Sequence, residues 1–357
     1  MKTELCQSVC DRLQNLYDSY GYSLYTMSKF EEYDLYAKNR DFLISGQVIT
    51  FTDLNGSLLA LKPDVTLSIV KNTADGESLQ KLYYQENVYR APKCSGFREI
   101  LQMGLECLGQ VDDFTLSEVL TLAGQSLSAI SSQAVLDISD LGILEKLLDR
   151  MGIQGENRAA ALNWIGQKNR HELSCFCQEL GTNPQLIELL QQLLSLRGTP
   201  DAVLPSLRSL LGAEFEGQLQ RLEQIFSAVE TKCLLNMDFS VVDDPHYYNG
   251  LVFKGFVDGI PSAVLSGGQY DKLMRKMKRS SRAVGFAVYM DLLEQLQQQG
   301  PEFDVDTVLL YDGQAQPRQI RNAADALRAK GKRVLALQTV PPALRYQEIV
   351  KLEEMEC

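Results

Sequence analysis

A chain of 357 residues exceeds the ~250 at which single cores commonly stop growing, so it holds one large domain with insertions or two to three ordinary ones. Hydrophobic residues make up 45% and charged residues 23%, ordinary for globular proteins, which sets aside disordered, collagen-like and low-complexity chains. Lys and Arg number 35 against 46 Asp and Glu, and the formal net charge of -11 opposes nucleic-acid binding that neutralises many phosphates. No apolar run approaches the ~18 residues that span a bilayer, and charges break the opening MKTELCQSVCDRL before a signal-type block forms. The expected compartment is the cytoplasm, with no membrane association. The eight cysteines form no CxxC pair, and His171 and His246 are the only histidines, so no metal site, no cofactor and no histidine-based triad is expected.

Leu5, Val9, Leu13, Leu16, Tyr17 and Tyr20 recur at helical spacing before Gly21, which predicts an amphipathic first helix of about four turns. In QVITFTDLNGSLLAL (47–61), two apolar-rich runs flank Asn55 and Gly56, the pair that suits a tight hairpin turn. Pro63 fits the first turn of a following helix, and Asp64 would suit the positive end of its dipole.

The segments LQKLYYQENVYRA and FREILQMGLECLG read as an antiparallel pair joined by PKCSG. Alternation places Leu101, Met103, Leu105 and Cys107 on one face, and Arg98, Ile100, Gln102, Gly104 and Glu106 on the other. With Glu86 and Arg90 on the partner strand, a polar sheet floor is predicted, and Gly104 would let a ligand or another backbone come close. Thr115 and Glu118, spaced as in a capping box, open a helix toward Ser128, and a short strand and another helix follow. The order of helices and hairpins implies an α+β fold.

From about 145 to 232 the pattern is helical, rich in Leu and Gln, and reads as an inserted subdomain in which Trp164 and His171 serve packing and a solvated face. Strands return through CLLNMDFSVV, HYYNGLVFKGFV, AVLSGGQYD and AVGFAVYMDLL, the last running into a helix. The first domain is set at 1–300, and 301–357 forms a short C-terminal segment of about one β-α-β unit.

The blocks LKPDVT (61–66), YYQENVYRAPKCSGFREILQMGLECLG (83–109), HYYNGLVFKGF (246–256), SGGQYDKL (266–273) and AVGFAVYMDLL (283–293), in this order over some 300 residues, resemble histidyl-tRNA synthetases. More closely the chain resembles the regulatory subunits of ATP phosphoribosyltransferase, synthetase-like paralogues that accompany short catalytic subunits in the first step of histidine biosynthesis. The resemblance implies a class II synthetase-type core, an antiparallel sheet flanked by helices, and self-dimerisation through the first helix and following strand.

Departures separate the synthetase from its paralogue. Arg90 stands at the synthetase's phosphate-binding arginine, but the following loop is shorter and lacks the glutamate that holds the adenine. The histidine-activating arginine is matched by Asp243, the arginine of GGGRYD by Gln269, the acid of VFE by Lys254, and the arginine closing the last motif by Leu292 or Asp291. Loss of one such group commonly costs ~3 kcal/mol in a transition state, so negligible aminoacyl-adenylate formation is expected. Against the resemblance, the tail is expected to fall short of the synthetase's anticodon-binding domain and to have no tRNA function, which agrees with the acidic balance.

By position in the motifs, the resemblance implies that Asp64, Thr66 and Gln102 face a bound amino group, while Glu106, Tyr248 and Tyr270 face an imidazole with Tyr247 beside them. Asp243 leaves the ligand carboxylate without its expected cation, for which Arg98 is the candidate replacement. The reading is a non-catalytic subunit that binds short-form ATP phosphoribosyltransferase, in a hetero-octamer of four plus four, activates it and transmits inhibition by L-histidine. Two alternatives stay open: a divergent ATP-dependent amino-acid-activating enzyme, and a free-standing histidine-binding sensor.

Overall fold

Periodicity of apolar residues dictates the first element: in α1 (Glu4–Ser19) Cys6, Val9, Cys10, Leu13 and Tyr17 form one buried stripe. Its end is closed by Gly21 at φ +78°, with the Tyr22 N–H reaching back to Tyr17 O and the Gly21 N–H to Asp18 O. The protein, seen in a computed structural model, is described over residues 4–43, 47–91, 96–242, 247–296 and 303–355. It divides into two units, Met1–Leu296 and Gln297–Cys357.

The first unit is built on a nine-stranded sheet in the order β1 (Ser23–Leu24), β5 (Gln80–Arg90), β6 (Arg98–Gly109), β12 (Arg282–Tyr289), β11 (Leu265–Gln269), β10 (Leu251–Val257), β7 (Ala134–Asp140), β9 (Leu234–Asp238) and β8 (Arg197–Gly198). All neighbours are antiparallel except β1 with β5 and β7 with β9, so the α+β class with an antiparallel-rich sheet holds. Alternation along β6 divides the sheet as the sequence requires. Met103, Leu105 and Cys107 join α1 and α4 (Asp113–Ile130) in the main core. Leu108, on the opposite face with Gln102 and Glu106, packs among Tyr84, Val88, α3 (Thr66–Asn72) and α11 (Asp271–Lys276).

Several local expectations are corrected. The helix α4 starts before Thr115: Asp112 is its cap and accepts from both the Thr115 N–H and hydroxyl, while Glu118 pairs with Lys81 at 2.6 Å. Pro63 precedes α3 instead of opening it, and Asp64 accepts from the Leu67 N–H at 2.9 Å. In the small sheet of β2 (Phe30–Glu32), β4 (Leu58–Leu61) and β3 (Thr50–Thr52), the hairpin loop is wider than a two-residue turn. Gly56 N–H bonds to Asp53 O, Asp53 N–H bonds to Ser57 O, and only Gly56 takes a positive φ, +86°. Asn55 instead accepts from the Ser57 N–H, an Asx-type turn in which the asparagine itself takes no left-handed conformation.

Beyond α5 (Leu141–Arg150), the insertion supplies α6 (Gly155–Gly166), α7 (Arg170–Glu179), α8 (Pro184–Leu193), α9 (Pro200–Leu211) and α10 (Glu216–Ser227). It is not wholly helical, because β8 pairs with β9 and extends the main sheet. Its buried Leu173, Leu190, Leu207 and Leu219 belong to the same core cluster as Leu105 and Ile138. In the second unit, β13 (Val305–Leu310), α12 (Pro317–Arg328) and β14 (Val334–Leu337) form the expected β-α-β unit, and a third parallel strand, β15 (Tyr346–Lys351), pairs with β13. That strand was not expected, because its alternation is mostly polar; Glu348 takes hydrogen bonds from Thr307 and Lys332.

Candidate functional site

On the face of β6 opposite the main core, Gln102 and Glu106 point into a cavity of about 240 Å³. Strand β5 adds Tyr84 and Arg90, the start of α3 adds Asp64 and Thr66, and the segment before β10 adds Tyr247 and Tyr248. Lys254 from β10, Ser266 and Tyr270 at β11, and Gly285 and Tyr289 from β12 complete the wall.

Glu106 is the centre of this arrangement. Only 2% exposed, it accepts from the Thr66 hydroxyl at 2.8 Å and the Tyr270 hydroxyl at 2.6 Å. Burial pushes its carboxyl up to about 8, against the lowering effect of those two hydroxyls, and the neighbouring Asp64 adds to the rise. Its place is made by Gly285, directly across the β6/β12 ladder, where a Cβ would fall 1.8 Å from Glu106 Oε2 and 2.5 Å from Leu105 O. The backbone there cannot yield without breaking the ladder. Gly285→Ala is therefore expected to lower stability by about 2 kcal/mol and displace Glu106, checked by denaturant unfolding.

Asp64 is held by the Leu67 N–H and lies 3.7 Å from Arg90, whose Nε donates to Pro63 O at 2.6 Å. Burial raises the Asp64 carboxyl even so, beyond what Arg90 and the two amides of the turn take back. Three tyrosines cluster beside Glu106 with their rings tilted against one another, the Tyr247 ring centroid lying 4.6 Å from that of Tyr248 and 5.8 Å from that of Tyr270. The result is a hydrogen-bonding group at the base of an aromatic slot, with Asp64, Gln102 and the cations Arg90 and Lys254 on the same cavity wall. Such a site can orient a small planar ring bearing a donor and an acceptor, together with a charged tail.

The structure brings together Asp64, Thr66, Gln102, Glu106, Tyr247, Tyr248 and Tyr270. Arg98 is not among the lining residues: it is exposed at the first position of β6, opposite Arg90 and four residues before Gln102. Asp243 and His246 lie outside the described residues. Lys254, read from sequence only as a lost acid, lines the cavity, and nothing in its local pattern announced that. At Gly104 a Cβ would fall 2.2 Å from Phe286 O and 2.6 Å from the Tyr84 hydroxyl oxygen, so another backbone does come close there, as expected, with a neighbouring ring beside it. Gln269 turns away from the cavity; its Oε1 accepts from the Leu251 N–H at 3.0 Å and lies against Gly250.

Glu86, expected on the polar floor, is engaged instead with the buried Lys62, 2.6 Å away, and with the Met27 N–H. Glu86→Gln would strand the Lys62 charge. A loss of about 2 kcal/mol is expected in urea unfolding, less than for a fully enclosed pair because Glu86 keeps 17% of its side chain exposed. Among the described residues there is no group of three or more His, Cys, Asp or Glu that could hold a metal, and no helix long and apolar enough to cross a membrane.

A mostly antiparallel sheet flanked by helices, with a ligand-sized cavity on one face, is a class II synthetase-like core. The family model described as Histidyl-tRNA synthetase matches residues 1–293, and the chain belongs to this family. It is 27% identical over 341 residues to the ATP phosphoribosyltransferase regulatory subunit of Caldanaerobacter subterraneus, covering 92% of this chain and 89% of that one. The protein of the same name from Alkaliphilus metalliredigens is 26% identical over 335 residues, covering 90% and 85%. Among solved structures, an ATP phosphoribosyltransferase regulatory subunit/histidyl-tRNA synthetase from Bacillus halodurans is similar with a TM-score of 0.80 at 24% identity, over 98% of this chain and 94% of that chain. Histidyl-tRNA synthetase from Nostoc sp. PCC 7120 gives 0.75 at 16% identity, over 95% and 83%.

Proposed function

We propose that this chain is a non-catalytic regulatory subunit of ATP phosphoribosyltransferase. It binds and activates the short-form catalytic subunit in the first step of L-histidine biosynthesis, and L-histidine in the Glu106 cavity makes that activity subject to feedback inhibition. The observation that carries the reading is the contrast within one cavity. The groups suited to an imidazole, Glu106 with Thr66 and Tyr270, are assembled, whereas Gln269, at the position of a synthetase arginine, is turned onto the Leu251 backbone. A pocket that keeps Arg90 and Lys254 on its wall but has the neutral Gln269, turned away, where the synthetase places an arginine lacks one of the cations that stabilise adenylate formation, and this fits sensing better than activation. The names of the curated relatives support the same reading over most of the chain. So does a chain of the ATP phosphoribosyl transferase (HisG:HisZ) complex from Thermotoga maritima, similar with a TM-score of 0.59 at 19% identity over 79% of this chain and 96% of that chain.

In this reading the protein works in the cytoplasm, self-dimerises through its synthetase-like core, forms a four-plus-four hetero-octamer with its partner and binds no nucleic acid. Histidine acts by binding the inhibited form of the assembly more tightly than the active one. The test is phosphoribosyl-ATP formation by a short catalytic subunit from the same source, with and without this chain, while L-histidine is titrated. Activation together with chain-dependent inhibition by histidine supports the proposal. An unchanged rate with no complex on sizing overturns it, and ATP-pyrophosphate exchange with histidine, expected to be absent, would then identify an activating enzyme.

A further inference from the structure

A second cavity of about 210 Å³ lies in the insertion, where the end of α6 meets β8 and β9. Its apolar wall is Ile165, Leu173 and the indole of Trp164, the chain's single tryptophan. On its polar side, Asp238 is buried and accepts from the Ser240 hydroxyl and amide. At the rim stand three exposed cations: Lys168, 3.1 Å from Asp238; Arg197, 3.4 Å from Asp137 and 3.6 Å from Asp238; and Arg170, which gives one N–H to Leu194 O. Lys168 and Arg197 pair with the two carboxylates Asp137 and Asp238, while Arg170 bonds a backbone carbonyl, so in a chain whose net charge is -11 the rim is a local positive excess. Lys168 ends α6 at φ +57°, a conformation that glycine adopts without strain; the lysine there adds a cation that glycine would not.

The order of groups defines the ligand. An anion is repelled by Asp238 within the cavity and attracted at the rim, whereas a hydroxyl or amine suits Asp238, and a planar ring suits the indole face. We propose that this cavity binds a nucleoside monophosphate, with its base against Trp164, a ribose hydroxyl or base amine on Asp238, and its phosphate between Lys168, Arg170 and Arg197.

The single tryptophan reports on the site directly. Fluorescence of the full chain should change saturably with AMP, and adenosine and inorganic phosphate should each bind about tenfold more weakly, since each lacks one half of the recognition. Arg170→Gln, at an exposed position and bonded to a backbone carbonyl, should weaken AMP by a similar factor without moving the thermal midpoint. Lys168→Gln should weaken it as much and also lower the midpoint, because Lys168 pairs with the buried Asp238, while Lys254→Gln in the first cavity should leave AMP binding unchanged. No saturable response to millimolar AMP by fluorescence or calorimetry would overturn the proposal and leave the cations as compensation for Asp137 and Asp238. A response lost in Lys254→Gln but kept in Lys168→Gln, or phosphate binding as tightly as AMP, would overturn it equally.

Discussion

Under the proposed function, Glu106→Gln is expected to weaken the histidine response of the assembly about a hundredfold while leaving activation of the catalytic subunit intact. The substitution keeps shape and hydrogen-bonding capacity, because the Thr66 and Tyr270 hydroxyls can each rotate to donate or accept. It removes the only group at the base of the slot that can carry either a proton or a negative charge opposite an imidazole. Loss of one charge-assisted hydrogen bond in a buried site corresponds to about a hundredfold weaker histidine binding. Calorimetry on the variant and the inhibition curve for phosphoribosyl-ATP formation should shift together. Inhibition that persists at the original histidine concentration would mean that the effector acts elsewhere.

The fold was legible where periodicity is strong, and the site where alternation is strict. The sequence of β6 separates Met103, Leu105 and Cys107 from Gln102 and Glu106, and those two sets do occupy opposite faces of the sheet. Alternation says which face a residue shares but not how far along the strand the cavity extends, which is why Arg98 was grouped with Gln102 although it sits at the exposed end of β6. Gly285 was unreadable for a different reason. Its role is to leave room for a side chain on the neighbouring strand, and a glycine inside an apolar run carries no mark of what occupies the space it leaves. The second cavity depends on Lys168, Arg197 and Asp238, which are far apart in sequence and meet only because the two-residue strand β8 pairs with β9. A two-residue strand has too little sequence to announce itself within an insertion whose pattern is nearly all helical.

Histidine binding should be tightest between pH ~6.5 and about 8 and fall on both sides. In the proposed complex the pair formed by the imidazole and Glu106 holds one proton, whichever group carries it. Below pH ~6.5 the free imidazole is protonated and Glu106, with its carboxyl near 8, is protonated too, so one proton must leave on binding. Above about 8 both groups are deprotonated and one proton must be taken up. Within the window the count of protons is unchanged, and outside it affinity falls by about tenfold per pH unit. Calorimetry across pH 5 to 10 in buffers of different ionisation enthalpy should show a plateau, proton release on the acid limb and proton uptake on the alkaline limb. Stability of the unliganded chain must follow the same carboxyl. Its folded value of about 8 lies above its ordinary 4.5, so the folded chain retains a proton that the unfolded chain has released. This contribution is full below 4.5 and is lost as pH rises through 8, for a total on the order of 5 kcal/mol. Glu106→Gln should remove both the alkaline limb of binding and this alkaline loss of stability. A wild-type affinity that stayed level to pH 10 would show that Glu106 does not share its proton with the ligand.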